Sequence, residues 1–159
     1  MSNQTITATK SEHSELWRTA SRLVAESQLG ILTTADAAGM PHAAWMNILV
    51  DSTMQEVITI TAPTTQKVAN LQANPNGEWM VANSSLETIL YLSGPTHILQ
   101  GDEAKQYWDR MPGKSKAYFR HYSAPDDVTK FSVIRTQVTK VVYCRPIGYR
   151  KSVVDEVTK

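Results

Sequence analysis

The sequence predicts a mostly β protein, built as an antiparallel barrel or sandwich with added helices. Short strand-like runs follow one another through turns, and the repeating strand–helix–strand pattern of a parallel sheet does not occur. The long run 86–99 is interrupted by Gly94-Pro95, and proline cannot donate a hydrogen bond within a sheet. That dipeptide therefore marks a bulge, a sheet edge or a barrel corner.

The first half of the chain combines one long helix with hairpin strands. Apolar residues at helical spacing predict a helix over 14–27. A short helix is predicted after the third strand, with Thr64 or Thr65 as its N-cap. Apolar, β-branched runs predict strands over 29–36, 41–51, 56–61 and 78–83.

The second half begins with the long strand 86–99. Helices are predicted over 102–111, with Asp102 as N-cap, and over 114–122. The runs 131–136 and 139–144 then predict two late strands, either a hairpin or one bent strand.

Length and composition indicate a single domain, because 159 residues with 42% hydrophobic side chains suffice for one buried core. We expect residues 1–10 to form a flexible segment, 11–148 the domain and 149–159 a charged tail. The net charge of +1 and the charged fraction of 19% describe a surface without the basic excess of a nucleic-acid-binding protein.

The expected cellular compartment depends on whether the sequence contains a signal peptide or a membrane helix. The first twenty residues have no apolar signal-peptide core, and no run approaches the roughly 18 apolar residues of a membrane helix. Cys144 is the only cysteine, so no disulfide can form within the chain. We expect a cytoplasmic protein with no membrane and no nucleic-acid partner.

Several catalytic motifs are absent or incomplete. The Gly113-Lys-Ser tripeptide suggests a phosphate loop, but Trp108 stands where that motif requires its first glycine. The four histidines are scattered, without the spacing of zinc ligands. No nucleophile elbow is present. We predict no metal site and no catalytic side chain.

The segment TAPTTQKVANLQANP, residues 61–75, is the strongest candidate for a binding site. A capping box would place Glu or Gln at position 67, yet Lys67 stands in the first turn, where a cation opposes the helix dipole. A helix N-terminus with hydroxyls from Thr61, Thr64 and Thr65 can bind phosphate. A capped helix whose lysine faces water explains the residues equally well.

Trp45 is a second candidate, since it lies in a strand beside Met46 and Asn47, just after a hairpin turn. An aromatic side chain with a polar neighbour can line a ligand pocket. Packing in the core is an equal alternative for this residue.

The order of these segments resembles the FMN-binding split barrels of the pyridoxamine 5′-phosphate oxidase-like family, most closely the general-stress-protein branch. The resemblance runs over about residues 16–143. It rests on three segments besides the N-terminal helix: LGILTTADAAGMPHAAWM, EVITITAPTTQKVANLQANP and TILYLSGPTHIL. It implies a six-stranded antiparallel split barrel of Greek-key type with peripheral helices. It also implies a homodimer that binds FMN between its subunits.

The resemblance assigns cofactor-binding roles residue by residue. It places Gln66 and Lys67 at the FMN phosphate, with Thr61 and Thr65 flanking it. Gln66 stands where relatives often have arginine, which implies weaker phosphate binding. The strand containing Trp45, Met46 and Asn47 is similar to the one that lines the isoalloxazine ring, and Thr88 falls near a further flavin contact.

The resemblance supports a flavin-binding fold more strongly than vitamin B6 chemistry. The Arg-Gln pair of the true oxidases is missing near Thr88, and CRPIGYRKSVV has no counterpart of their arginine-rich C-terminal motif. The expected function is an FMN-dependent oxidoreductase acting on a small-molecule substrate. The alternatives are a non-catalytic protein that binds flavin, F420 or haem, and a dimeric barrel without a ligand.

Overall fold

The computed structural model describes residues 5–7, 10–50, 54–122, 127, 129–146 and 150–155. Within these residues the helices are α1 (Lys10–Ser27), α2 (Gln66–Ala73), α3 (Gly101–Arg110) and α4 (Gly113–Tyr122). The strands are β1 (Thr5–Thr7), β2 (Leu29–Ala35), β3 (Pro41–Asn47), β4 (Leu49–Val50), β5 (Glu56–Thr61), β6 (Asn76–Ala82), β7 (Ile89–Leu99), β8 (Ser132–Gln137), β9 (Lys140–Arg145) and β10 (Arg150–Asp155).

Six strands make up an antiparallel split barrel, in the order β3–β2–β6–β7–β8–β5. The two end strands are not joined by a ladder. Instead, the Thr59 hydroxyl on β5 donates to the Asn47 carbonyl on β3 at 2.6 Å. This seam brings the end of β3, a predicted binding segment, next to β5.

Strand β7 serves two sheets because it changes partner along its length. Its first half pairs with β9, and its second half, from Thr96 onward, pairs with β8. The change occurs at Gly94, where a Cβ atom would lie 1.9 Å from the Gln137 carbonyl oxygen. Of the bulge, edge or corner that the sequence allows at Gly94-Pro95, the structure has a corner, and at Gly94 the backbone contact is one that only glycine permits.

Two apolar clusters stabilise the fold. The first fills the barrel and the underside of α1 around Trp79, Leu32 and Val24. The second lies on the outer side of β5 and β8, where Trp108 of α3 and Phe119 of α4 cover it. The helix pair thus buries an apolar sheet face, as its amphipathic pattern predicts.

A chain of hydrogen bonds crosses the barrel interior. The Trp79 indole N–H donates to Thr136 at 2.9 Å, and the hydroxyls of Thr136 and Thr96 lie 2.9 Å apart. Thr96 also donates to the Gly94 carbonyl at 3.2 Å, so the chain ends at the corner. These side chains are buried and paired, which is how a core tolerates polar groups.

The two ends of the described chain differ from the sequence prediction. The segment 1–10 was expected to be flexible and 149–159 to be a charged tail, but Thr5–Thr7 and Arg150–Asp155 are strands. They pair with each other in parallel, and β10 also pairs with β9. The free edge of β9 explains the difference, because an unpaired strand edge is a template for a further strand.

Smaller differences concern helix starts and one strand break. The N-cap of α3 is Gln100, and the predicted cap Asp102 lies inside the first turn. Helix α1 begins at Lys10, four residues before the predicted start. The predicted strand 41–51 divides at Ile48, whose N–H donates to the Gln28 carbonyl at 3.0 Å.

No helix among the described residues is long and apolar enough to cross a membrane.

Candidate functional site

The site begins where β5 passes into α2. Thr65 is the N-cap, but its hydroxyl makes no capping bond. It donates instead to the Ala62 carbonyl at 3.1 Å and lies 3.3 Å from the Thr61 hydroxyl oxygen. The first two N–H groups of the helix, those of Gln66 and Lys67, donate to no acceptor among the described residues, and the Thr65 side chain does not cap the helix. These N–H groups remain available to an anion.

Lys67 supplies the charge beside these donors. Its ammonium lies 3.5 Å from the Thr61 hydroxyl and forms no ion pair with any carboxylate of the described chain. The side chain is half-buried, and this burial lowers the pKa of Lys67 below its ordinary value of about 10.5. A partly desolvated ammonium without a counter-ion is stabilised by an anion more than an exposed lysine would be.

Gln66 does not complete the cluster. Its side-chain amide donates to Asn70 Oδ1 at 2.7 Å, one helical turn further on. Asn70 is buried and donates in turn to the Thr34 hydroxyl at 2.9 Å. Through Asn70, the amide of Gln66 therefore helps to hold α2 against β2. Lys67 is then the one side-chain cation of the cluster among the described residues.

The β3 segment lies across the seam from β5. Met46 is half-buried and packs against the barrel core, while the carbonyl of Asn47 accepts the bond from Thr59. Trp45 points the other way and is 72% exposed. Trp45 therefore does not pack in the core of this chain. Of the two sequence interpretations, packing in the core is excluded within this chain, and a role in a ligand pocket stays a prediction.

Thr88 lies far from this cluster within one chain. It directly precedes β7, whereas Thr61 lies beside β8 near the opposite end of β7. The Thr88 N–H donates to the Asn83 side chain at 3.1 Å, and its hydroxyl lies 3.5 Å from that of Tyr143. The structure thus brings together Thr61, Thr65 and Lys67 but separates Thr88 from them.

Sequence reasoning did not single out Asn70 and Thr59. Asn70 fixes the direction of Gln66, and Thr59 closes the seam. The spacing of Gln66 and Asn70, four residues apart on one helix, is the available signal for the first. Thr59 leaves no such signal, because its partner is a backbone carbonyl on a strand twelve residues earlier.

The arrangement can bind an oxyanion. Two free N–H groups, a helix N-terminus, one ammonium and two hydroxyls converge between Thr61 and Lys67, which is donor chemistry suited to phosphate. No cluster of three metal-ligating side chains occurs in the part of the chain that the structure describes.

The fold places the chain in the class of split-barrel proteins. The chain belongs to the pyridoxamine 5′-phosphate oxidase family, whose model matches residues 16–145. No curated protein matches the sequence at a significant level.

Solved structures show the same fold. A protein from Clostridium acetobutylicum related to general stress protein 26 of Bacillus subtilis is 16% identical, with a TM-score of 0.72, covering 89% of this chain and 94% of the other. An FMN-binding protein from Nostoc punctiforme related to pyridoxamine 5′-phosphate oxidase is 15% identical, with a TM-score of 0.62 and coverage of 86% and 87%. A haem-binding protein from Mycobacterium smegmatis is 20% identical, with a TM-score of 0.66 and coverage of 94% and 59%.

Proposed function

We propose that this protein is an FMN-binding flavoprotein that acts as an oxidoreductase on a small-molecule substrate. The observation that carries the proposal is the unpaired ammonium of Lys67 beside free N–H groups at the start of α2. Membership of the family and the similarity to the FMN-binding protein from Nostoc punctiforme support FMN as the ligand.

The phosphate of FMN would lie against Thr65 and Lys67. The N–H groups of the first turn would donate to its oxygens, Lys67 would balance its charge, and the Thr61 hydroxyl would lie behind the ammonium. With Gln66 bonded to Asn70, Lys67 is the one side-chain cation of the described residues that would face the phosphate. We therefore expect weaker phosphate binding than in relatives that have arginine at this position.

The flavin ring would lie along β3. Among the described residues this strand pairs with β2 alone, so its other edge offers backbone groups to a ligand. The Asn47 carbonyl is already bonded to Thr59, which fixes that end of the strand. Bound FMN supplies the electron transfer, and the chain binds and orients it. No side chain of the cluster needs to exchange a proton.

A homodimer would complete the site. One row of side chains crosses the outer sheet face from Trp45 through Ile31, Met80 and Tyr91 to Val142. The row is apolar, and Trp45 at its end is largely exposed. An apolar face of this kind is typical of a protein–protein contact. In a dimer formed through it, Thr88 could reach a flavin only from the partner subunit.

Vitamin B6 chemistry is a poorer match for these residues. Gln66 replaces a common arginine, and the Arg-Gln pair and the arginine-rich C-terminal motif of the true oxidases are absent from the sequence. A binding protein without turnover is the second candidate, and the haem-binding neighbour gives it a specific alternative ligand.

The test is the ligand content and redox behaviour of the purified protein. We expect a yellow protein that releases FMN on denaturation and whose flavin is bleached by NADH or NADPH under anaerobic conditions. A protein that binds FMN but is bleached by neither nucleotide would support the non-catalytic alternative. A protein that binds haem and not FMN would overturn the proposal.

A further inference from the structure

The chain crosses the barrel seam at Ile48. Strand β3 pairs with β2 as far as Asn47, whereas β4 (Leu49–Val50) pairs with β5. The Ile48 N–H donates to the Gln28 carbonyl at 3.0 Å, on the β2 side of the seam. From the β5 side, the Thr59 hydroxyl donates to the Asn47 carbonyl at 2.6 Å. The backbone at the crossing is therefore held from both sides.

The hydrogen bonds of the β2–β3 hairpin show which backbone groups of β3 face away from β2. The Asp36 N–H donates to the Met40 carbonyl at the turn, and the Ile48 bond lies at the other end, both at 3.0 Å. Bonded and non-bonded residue pairs alternate along an antiparallel ladder, so the even-numbered residues of β3 bond to β2. The backbone N–H and C=O groups of Trp45 and Asn47 therefore point away from β2.

Thr59 determines which of these groups a ligand can use. It is fully buried, and its hydroxyl occupies the Asn47 carbonyl. The Trp45 N–H, the Trp45 carbonyl and the Asn47 N–H have no hydrogen-bond partner among the described residues. The free groups of this edge are thus a donor, an acceptor and a donor, in that order along the strand.

The pyrimidine edge of a flavin is complementary to this order. It presents a carbonyl oxygen, the N3–H group and a second carbonyl oxygen, which are an acceptor, a donor and an acceptor. The seam also adjoins the anion cluster. Thr61 lies on the same face of β5 as Thr59, about 7 Å further along, and its hydroxyl is 3.5 Å from the Lys67 ammonium.

We infer that Thr59 is a positioning residue that makes the β3 edge specific for the flavin pyrimidine edge. It holds the edge in place and removes the Asn47 carbonyl from the groups that face the ligand. The Trp45 carbonyl then accepts from N3–H, and the N–H groups of Trp45 and Asn47 donate to the two flavin carbonyls. This inference rests on the proposed binding of FMN.

The experiment compares the affinity of the wild type for riboflavin and for N3-methylriboflavin, measured by fluorescence titration. The methyl group removes the donor that the Trp45 carbonyl would accept from. We expect N3-methylriboflavin to bind about tenfold more weakly than riboflavin, or less well still. Neither ligand has a phosphate, so the comparison does not depend on Lys67.

Variants of Thr59 test its role. Thr59→Val keeps the shape of the side chain without the hydroxyl. It should weaken the binding of riboflavin and of FMN about tenfold each and reduce the preference for riboflavin over N3-methylriboflavin. Thr59→Ser keeps the hydroxyl and should restore both the affinity and the preference. A loss of stability alone would weaken both riboflavin ligands alike and leave the preference unchanged.

Thr139→Val is the matched control. The Thr139 hydroxyl also donates to a backbone carbonyl, that of Ser93 at 3.3 Å, but it lies away from the seam. This variant should bind all three ligands as the wild type does.

Two results would overturn the inference while leaving FMN binding intact. The first is equal affinity of the wild type for riboflavin and N3-methylriboflavin. The second is a Thr59→Val protein with the affinity or the ligand preference of the wild type. A wild type that binds neither FMN nor riboflavin would overturn the proposed function, and the inference with it.

Discussion

Lys67 is placed where helix physics disfavours it. A cation in the first turn opposes the dipole, and burial further disfavours its charge. The residue therefore lowers the stability of the free protein. A bound anion would offset this loss, because it balances the charge of the ammonium. A substitution of Lys67 should therefore have opposite effects on the free energy of unfolding and on the affinity for an anion.

Lys67→Met should make the free protein more stable and the FMN complex weaker. Methionine keeps the length and helix propensity of lysine but removes the charge, so we expect a gain of up to about 1 kcal/mol in the free energy of unfolding at pH 7. Urea denaturation of the FMN-free protein measures it. Lys105→Met is the control, because that lysine pairs with Asp109 on α3 and its loss should slightly lower stability.

The lowered pKa of Lys67 predicts how stability depends on pH. The folded chain holds this proton less tightly than the unfolded chain, so the lysine costs stability below its folded pKa. The cost is lost as the pH rises from that pKa through about 10.5. The difference in free energy of unfolding between Lys67→Met and the wild type should therefore shrink at alkaline pH. A difference that grows with pH would contradict the assigned direction.

FMN affinity should weaken at both the acidic and the alkaline end of the pH range. It should weaken below a pH of about 6, where the phosphate dianion takes up a proton and becomes a monoanion. It should weaken again at alkaline pH, where Lys67 loses its charge, and this second loss should begin earlier than for an exposed lysine. Fluorescence titration of FMN at a series of pH values measures both. An affinity that is constant across this range would show that the phosphate charge is not recognised.

At the scale of elements, the corner of β7 decides whether the barrel can form. Gly94→Ala would place a methyl group 1.9 Å from the Gln137 carbonyl oxygen, where only backbone movement gives room. We expect a loss of about 3 kcal/mol or more in the free energy of unfolding, measured in urea. Gly113→Ala is the control, because its Cβ meets nothing within 4 Å, and it should be neutral or mildly stabilising. Similar stabilities for both variants would contradict the corner's role.

Elements with a strong local pattern were predictable. The β2–β3 hairpin, α2 and the corner at Gly94 follow from alternation, capping residues and glycine–proline chemistry, and the structure has them close to the predicted bounds. The parallel pairing of Thr5–Thr7 with Arg150–Asp155 was not predictable from the sequence, because it joins opposite ends of the chain and depends on the free edge of β9. Local patterns carry no information about such a pairing.

The candidate site was predictable only in part, for the same reason. Lys67 and Thr65 are neighbours along the chain, so their spacing indicated a shared site. The direction of Gln66 depends on Asn70 and Thr34, and Thr34 lies on another strand. No pattern around position 66 reveals that its amide is already engaged.

At the scale of the whole molecule, the outer sheet face predicts a dimer. Trp45→Glu would place a charge at the exposed end of the apolar row, and burying that charge against a partner is costly. We expect the variant to sediment as a monomer in analytical ultracentrifugation and to bind FMN more weakly, as part of the site would come from the partner. Tyr118→Glu changes an exposed aromatic on α4 and should leave the dimer intact. A Trp45→Glu protein that remains dimeric would place the interface elsewhere.

The central claim is that the start of α2 binds the phosphate of FMN. The most direct measurement is the affinity of the wild type and of Lys67→Ala for FMN and for riboflavin, which lacks the phosphate. In the wild type we expect FMN to bind more tightly than riboflavin. Lys67→Ala should weaken FMN binding about ten- to hundredfold and leave riboflavin binding unchanged. The variant should therefore bind the two ligands with nearly the same affinity. Equal affinities for both ligands in the wild type, or equal losses for both in the variant, would contradict the account.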